Sequence, residues 1–307
     1  MDRTCYKLSD FRFSLSTDDP SLREPLALLY PTLRCAPGPC SSEWEIRQQT
    51  SPDNSLLFYT LYDHDQAIYS SPDRSGLFEY LEWTVLRKLL YHHDHFLQLH
   101  AASATRDGHA LLLSGPPGSG KSTLALALLL DGWQCLSDEI TLIEPECRRA
   151  RSFPRSFHLT EQTMRLFPRL TRFADGEGFV DKSGKRRFDP SGIRPDWVSA
   201  PASPAWLVFP TYRPDGQEGL TPLGETESLS LLIDQTINLA SHGTEGLDIL
   251  LRLISRCSCC RLQMRDLRSG RDLINELTQK SACKTAVLCH KGLSRSSAGV
   301  KRLRADG

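Results

Sequence analysis

The sequence predicts an α/β protein, a mixed sheet flanked by helices and preceded by a small β-rich domain, and three features make that prediction. From His109 to Glu144 the chain reads HALLLSGPPGSGKSTLALALLLDGWQCLSDEITLIE, an apolar strand, a glycine-rich loop and a Leu/Ala-rich helix in succession. Before residue 92, short alternating segments are separated by Pro20, Pro31, Pro37, Pro39, Pro52 and Pro72, the pattern of strands joined by turns. After residue 225, two stretches carry apolar residues at helical spacing. At roughly 100 to 200 residues per domain, the 307 residues divide into a β-rich domain with a connecting helix over 1–92, a core over 93–280 and a basic tail over 281–307.

In the first domain, Phe11–Leu15, Leu26–Tyr30, Glu43–Gln48, Leu56–Tyr62 and Gln66–Tyr69 read as its short β pieces. Gly76–Tyr91 changes to a helical period through Leu77, Leu81, Leu86 and Leu89, and its aromatic stripe reads as core packing. Phe96–Ser103 alternates as a strand, and Arg106-Asp107-Gly108 turns it back into the strand Ala110–Ser114. His100 therefore stands on a strand beside the loop, either as a structural histidine or as part of a site.

The loop Gly115-Pro116-Pro117-Gly118-Ser119-Gly120-Lys121-Ser122 fills every fixed position of the phosphate-binding pattern G-x-x-x-x-G-K-[ST]. Its glycines let successive N–H groups turn inward on a phosphate chain, and the following helix adds unpaired N–H groups at its positive end. The expected nucleotide contacts are Gly115, Pro116, Pro117, Gly118, Ser119, Gly120, Lys121, Ser122 and Thr123. Lys121 supplies charge to the β- and γ-phosphates, and Ser122 an oxygen to Mg²⁺. A nucleoside triphosphate with Mg²⁺ is the expected ligand.

The helix Ser122–Asp131 ends at Gly132, and Trp133–Leu136 reads as a strand ending in Ser137-Asp138-Glu139. Such an acidic pair either ligates a metal and accepts a proton or solvates a turn. Ile140–Ile143 is the next strand. From Arg148 to Pro195 the chain is basic and reads as loop. Within it Lys182, Lys185, Arg186 and Arg187 form either a mobile lid or substrate loop or a solvated surface. Trp206–Tyr212 is a buried strand, Ser228–Ala240 and Gly246–Cys257 are amphipathic helices, Cys260–Leu267 a strand and Ser269–Leu277 a last helix. Beyond Lys280 the basic tail is expected to be disordered.

Lys plus Arg and Asp plus Glu are equal at 37 each, so no overall field draws the chain to nucleic acid or an anionic membrane. No apolar run approaches the roughly 20 residues of a membrane helix, and Met1–Asp10 is polar; a cytoplasmic protein is expected. The ten cysteines are then expected as reduced thiols. Cys257, Cys259 and Cys260 are either free thiols or, with Cys283, Cys289 and His290, a zinc site.

The run LQLHAASATRDGHALLLSGPPGSGKSTLALALLLDGWQCLSDEITLIEP resembles the catalytic core of the HPr serine kinase/phosphorylase family, and most closely the bacterial HPr kinase-related proteins. The resemblance extends through SFPRSF, the basic loop and PAWLVFPTY, from roughly Phe96 to Leu277. It implies an ATP-dependent serine kinase that moves the γ-phosphoryl of Mg-ATP to a serine hydroxyl on a partner protein or peptide, and a homo-oligomer. Lys121 and Ser122 match the family's nucleotide and metal positions, Asp138 its catalytic carboxylate, and His100 a histidine beside the site. Glu139 stands where the bifunctional members usually carry an aspartate, and no segment maps onto the family's HPr-docking element. A small-molecule kinase on the same core and a nucleotide-gated binding protein are the alternatives.

Overall fold

The computed structural model describes residues 2–53, 55–146, 148–170, 181 and 183–279. These build a mixed α/β structure. The first sheet has six strands, β1 (Asp2–Leu8), β2 (Phe11–Thr17), β3 (Arg34–Cys35), β4 (Ser42–Thr50), β5 (Leu57–Asp63) and β6 (Gln66–Ser71), in the order β3-β1-β2-β4-β5-β6. β2 and β4 run parallel, while the other pairs are antiparallel. Alternation is strict where one face is covered: in β4, Ser42, Trp44 and Ile46 point inward. Leu26–Tyr30, expected as a β piece, instead begins in the short helix α1 (Arg23–Ala27), and Leu26, Leu29 and Tyr30 fill the core from there.

Helix α2 (Arg74–His92) starts at Asp73, whose carboxylate accepts from the N–H groups of Ser75 and Gly76. Its Leu77, Phe78, Leu81, Val85 and Leu89 pack with Tyr6, Phe13, Trp44 and Leu61 of the first sheet. The same core takes in Phe96, Ile140, Leu142 and Phe153, from beyond residue 92.

The second sheet has eight strands: β7 (Leu97–Arg106), β8 (His109–Ser114), β9 (Gln134–Ser137), β10 (Ile140–Ile143), β11 (Ala150–Arg151), β14 (Ser203–Tyr212), β15 (Gly219–Pro222) and β16 (Ser258–Met264). Their order is β11-β10-β7-β8-β14-β16-β15, with β9 also on β7. β8, β14 and β16 are parallel neighbours, whereas β7 runs antiparallel to β8. Helix α3 (Lys121–Leu130) covers one face and packs with Leu111, Leu113, Trp133 and Trp206. On the other face Leu112, Leu207 and Phe209 meet Leu232 of α5 (Glu225–Ile233) and Leu250 of α6 (Leu239–Ile254). Covering both faces makes β8 an unbroken apolar run.

The two amphipathic helices predicted from Ser228 and Gly246 begin earlier, at Glu225 and Leu239, and α6 is kinked at Gly243. Helix α7 spans 267–279. The stretch expected as loop contains the hairpin of β12 (Phe157–Thr160) and β13 (Lys185–Phe188), with α4 (Glu161–Arg165) between them. The tail over 281–307 lies outside the described residues. Among those described, no helix is long and apolar enough to cross a membrane.

Candidate functional site

The site is organised by β7. At Ala101 and Ala102 this strand faces Ser114 and Leu113 of β8 on one edge. On its other edge Ser103 faces Ser137 and His100 faces Ile140. β9 and β10 are thus two halves of one antiparallel path, interrupted by Asp138-Glu139 at the level where β8 gives way to the glycine-rich loop.

Gly118 and Gly120 have φ of 82° and 95°, a left-handed region that costs a residue with a Cβ. Gly120 caps α3 without a side-chain acceptor, so the first-turn N–H groups are not claimed by a capping side chain. The Ser114 and Ser119 hydroxyls are buried with no hydrogen-bond partner among the described residues. Buried polar atoms normally find partners, and these fit a polar ligand seated on the loop.

Lys121 is buried, and its Nζ donates to the carbonyls of Gly115 at 2.6 Å and Pro116 at 3.1 Å. Burial lowers its pKa to about 8. Ser122 Oγ donates to the backbone carbonyl of Asp138 at 3.2 Å, which ties the first turn of α3 to the acidic pair. The Asp138 carboxylate is buried, and its Oδ1 has no hydrogen-bond partner among the described residues. Arg155 Nε lies 3.6 Å from that oxygen, and another nitrogen of the same guanidinium pairs with Glu139. Arg155, itself buried, is thus placed between both carboxylates.

His100 donates from Nδ1 to Gln235 Oε1 at 3.1 Å, and its backbone N–H donates to the Gln235 carbonyl at 2.7 Å. Its pKa is lowered, first by burial and then by the charges of Lys121 and Arg155; the ring is held neutral with Nε2 as its lone-pair atom. Gln235 also lines a cleft of about 420 Å³ beside the loop, with Ser114, Gly115, Thr211, Arg213 and Arg261 among its walls.

The predicted residues Lys121, Ser122, Asp138 and His100 therefore converge with the loop over 115–123. Glu139 is close to them but is turned to Arg155. The expected lid is different. Lys185, Arg186 and Arg187 lie in strand β13 paired with β12, and Arg187 is buried with its guanidinium on the Glu82 carboxylate of α2. Glu82 also accepts from His158 Nε2 at 3.1 Å. Burial alone would raise the Glu82 pKa, but His158 and Arg187 together hold it well below the usual carboxylate range. A buried arginine with a buried carboxylate partner is a fixed part of the structure, so the mobile-loop expectation is corrected at Arg187. Lys182 lies outside the described residues.

Sequence reasoning assigned no role to Arg155, Gln235, Arg213 or Arg261. For Arg155 a signal existed: it stands in SFPRSF, between two phenylalanines that are both buried, where a solvated arginine is out of place. Cys257, Cys259 and Cys260 are free. Burial raises all three thiols, Cys260 to about 12, which makes them poor thiolates. Cys283, Cys289 and His290 lie outside the described residues. No family model matches the chain, and no curated protein matches it.

Proposed function

We propose that the protein is an ATP-dependent serine kinase of the HPr kinase-like class, which transfers the γ-phosphoryl of Mg-ATP to a serine hydroxyl on a partner protein or peptide. The observation that carries this reading is the Ser122–Asp138 junction, where the first turn of a helix behind a phosphate-type loop is bonded to the backbone of a buried carboxylate. A phosphate chain on the loop then has a lysine, a metal-type hydroxyl and a base within one small volume.

The roles follow from chemistry. Lys121 exchanges its bonds to the Gly115 and Pro116 carbonyls for phosphate oxygens and offsets the charge being moved. Asp138 accepts the proton of the attacking serine. His100, neutral and anchored by Gln235, sets the wall beside Lys121 without adding charge. The residues present fit Mg²⁺: the buried Asp138 Oδ1 lacks a hydrogen-bond partner among the described residues, and Asp138 with Ser122 offers the hard oxygens that this ion prefers. Glu139 is a third oxygen donor once it leaves Arg155. When bound, the ion neutralises and orients the triphosphate. A cytoplasmic location belongs to this reading, as the compartment of ATP and of reduced thiols.

One observation favours a second reading, a small-molecule kinase on the same core. The cleft beside the loop carries Arg213 and Arg261, and its volume suits a compact anionic acceptor. Incubation with γ-labelled ATP separates the two: labelled serine in a protein supports the first reading, and label confined to metabolites supports the second.

A further inference from the structure

We propose that Asp10, His92 and His93 form a binding site for a divalent transition-metal ion of the zinc type, at the junction of the β1–β2 turn with the C-terminal end of α2. Their ligand atoms all lie within 4.8 Å of one another. His92 Nε2 is 3.2 Å and His93 Nε2 3.8 Å from Asp10 Oδ1. Metal–ligand bonds of about 2.0 to 2.1 Å at a tetrahedral angle put ligand atoms roughly 3.3 Å apart, so the Asp10–His92 edge already matches, and the two edges of His93, at 3.8 Å to Asp10 and within 4.8 Å of His92, close around an ion.

The decisive atom is His93 Nε2. The ring is fully buried, and its other nitrogen, Nδ1, donates to the Leu89 carbonyl at 2.8 Å. That bond makes Nδ1 the protonated nitrogen, so in the neutral ring Nε2 carries the lone pair, with no hydrogen-bond partner among the described residues, facing a carboxylate oxygen. Burying a polar atom without a partner is costly, and a lone pair facing a carboxylate has no donor between them. A metal ion satisfies both at once. A ligating histidine is usually held in this way, by an N–H bond from its far nitrogen to a carbonyl.

Two imidazoles and one carboxylate suit zinc and its neighbours rather than Mg²⁺ or Ca²⁺. The Asp10 carboxylate is mostly exposed, so water has access to complete the coordination. The backbone explains how Asp10 arrives there: Ser9 takes φ of 54°, and the tight Ser9-Asp10 turn presents the carboxylate at the hairpin tip. The ion would fasten the first sheet to the helix end that leads through Phe96 into β7, the strand of His100. The site is separate from the phosphate-loop site and does not depend on its assignment.

The test uses untagged full-length protein, stripped with chelator and free of nucleotide and Mg²⁺, titrated with Co²⁺ by visible absorption and with Zn²⁺ by calorimetry. Wild type is expected to bind one Co²⁺ with ligand-field bands and no thiolate charge-transfer band. His92→Gln and Asp10→Asn, both at exposed side chains, are expected to keep the wild-type circular dichroism and to weaken binding by about 10- to 100-fold or more; His93→Gln should do the same. Absence of binding by wild type, unchanged affinity in the folded variants, or a thiolate charge-transfer band showing that cysteines hold the ion would overturn the proposal.

Discussion

Replacing Glu82 by Gln removes one negative charge from a pocket where the Glu82 carboxylate holds Arg187 and His158. Both side chains of the Glu82–Arg187 pair are at least nine-tenths buried, so solvent does little to screen the loss. Deleting one partner of a buried pair costs about 3 to 5 kcal/mol, and because the Gln amide oxygen still accepts one hydrogen bond the lower end, about 3 kcal/mol, applies. About 265 residues at about 2.1 cal/mol/K each give an unfolding entropy near 0.56 kcal/mol/K, so the midpoint of thermal unfolding should fall by about 5 °C at pH 7. The pH dependence carries the sign. The Glu82 carboxyl is held below its unfolded pKa, so its stabilisation is complete above about pH 4.5 and is lost as pH falls through the folded value. The gap between wild type and variant, measured by differential scanning calorimetry from pH 7 to pH 3, should therefore narrow on the acid side. A variant as stable as wild type at pH 7, yet impaired in ATP affinity, would refute this reasoning and return Arg187 to the role of a ligand-gripping loop residue.

Arg155→Met should cost about 3 kcal/mol in urea unfolding, since its partner Asp138 is buried with it. Glu139→Gln, on a side chain 41% exposed, should cost less than about 1 kcal/mol. Equal costs would contradict the asymmetry of this cluster. Binding of ATP to wild type should weaken as pH rises through about 8, where Lys121 loses its proton; at pH 9 only about a tenth of the molecules keep the ammonium. Lys121→Met should bind at least tenfold less ATP affinity at pH 7 and lose this pH dependence, and a variant that kept the wild-type profile in calorimetry would assign the titration elsewhere.

Much of the core was legible because local signals and tertiary demands agree there. The apolar run of β8, the glycines at 118 and 120 and the Leu/Ala helix α3 each follow from short-range rules, and Asp138 is found by its place after the next strand. Pairing was not legible. Nothing in QCLSDEITLI says that it lies antiparallel along β7, with its acidic pair opposite Ala101 and Ala102, because that register depends on residues some 40 positions away. Nor was β1, whose Arg3 and Lys7 point outward on one face while Tyr6 and Leu8 point into the core from the other, so that a half-buried strand has the look of a polar terminus. LALLY at 26–30 has the apolar content of a strand but is shaped by the core above it. By sequence the arginines of the basic stretch read as a lid, a substrate loop or a solvated surface, all of them exposed roles, which is the default for an isolated charge. Arg187 departs from that default because Glu82, 105 residues away, offers a buried carboxylate, and long-range pairing of this kind leaves no local pattern.

The most direct test of the central claim is transfer of label from γ-labelled ATP with Mg²⁺, using the purified protein alone and with lysate of its own host, followed by mass spectrometry of each labelled band. The account predicts phosphoserine on a discrete protein or peptide, absent when Asp138→Asn replaces wild type, although that variant still binds ATP. Wild-type transfer by Asp138→Asn would contradict the assignment of the base, and ATP that is bound by wild type but never consumed would contradict the kinase reading itself.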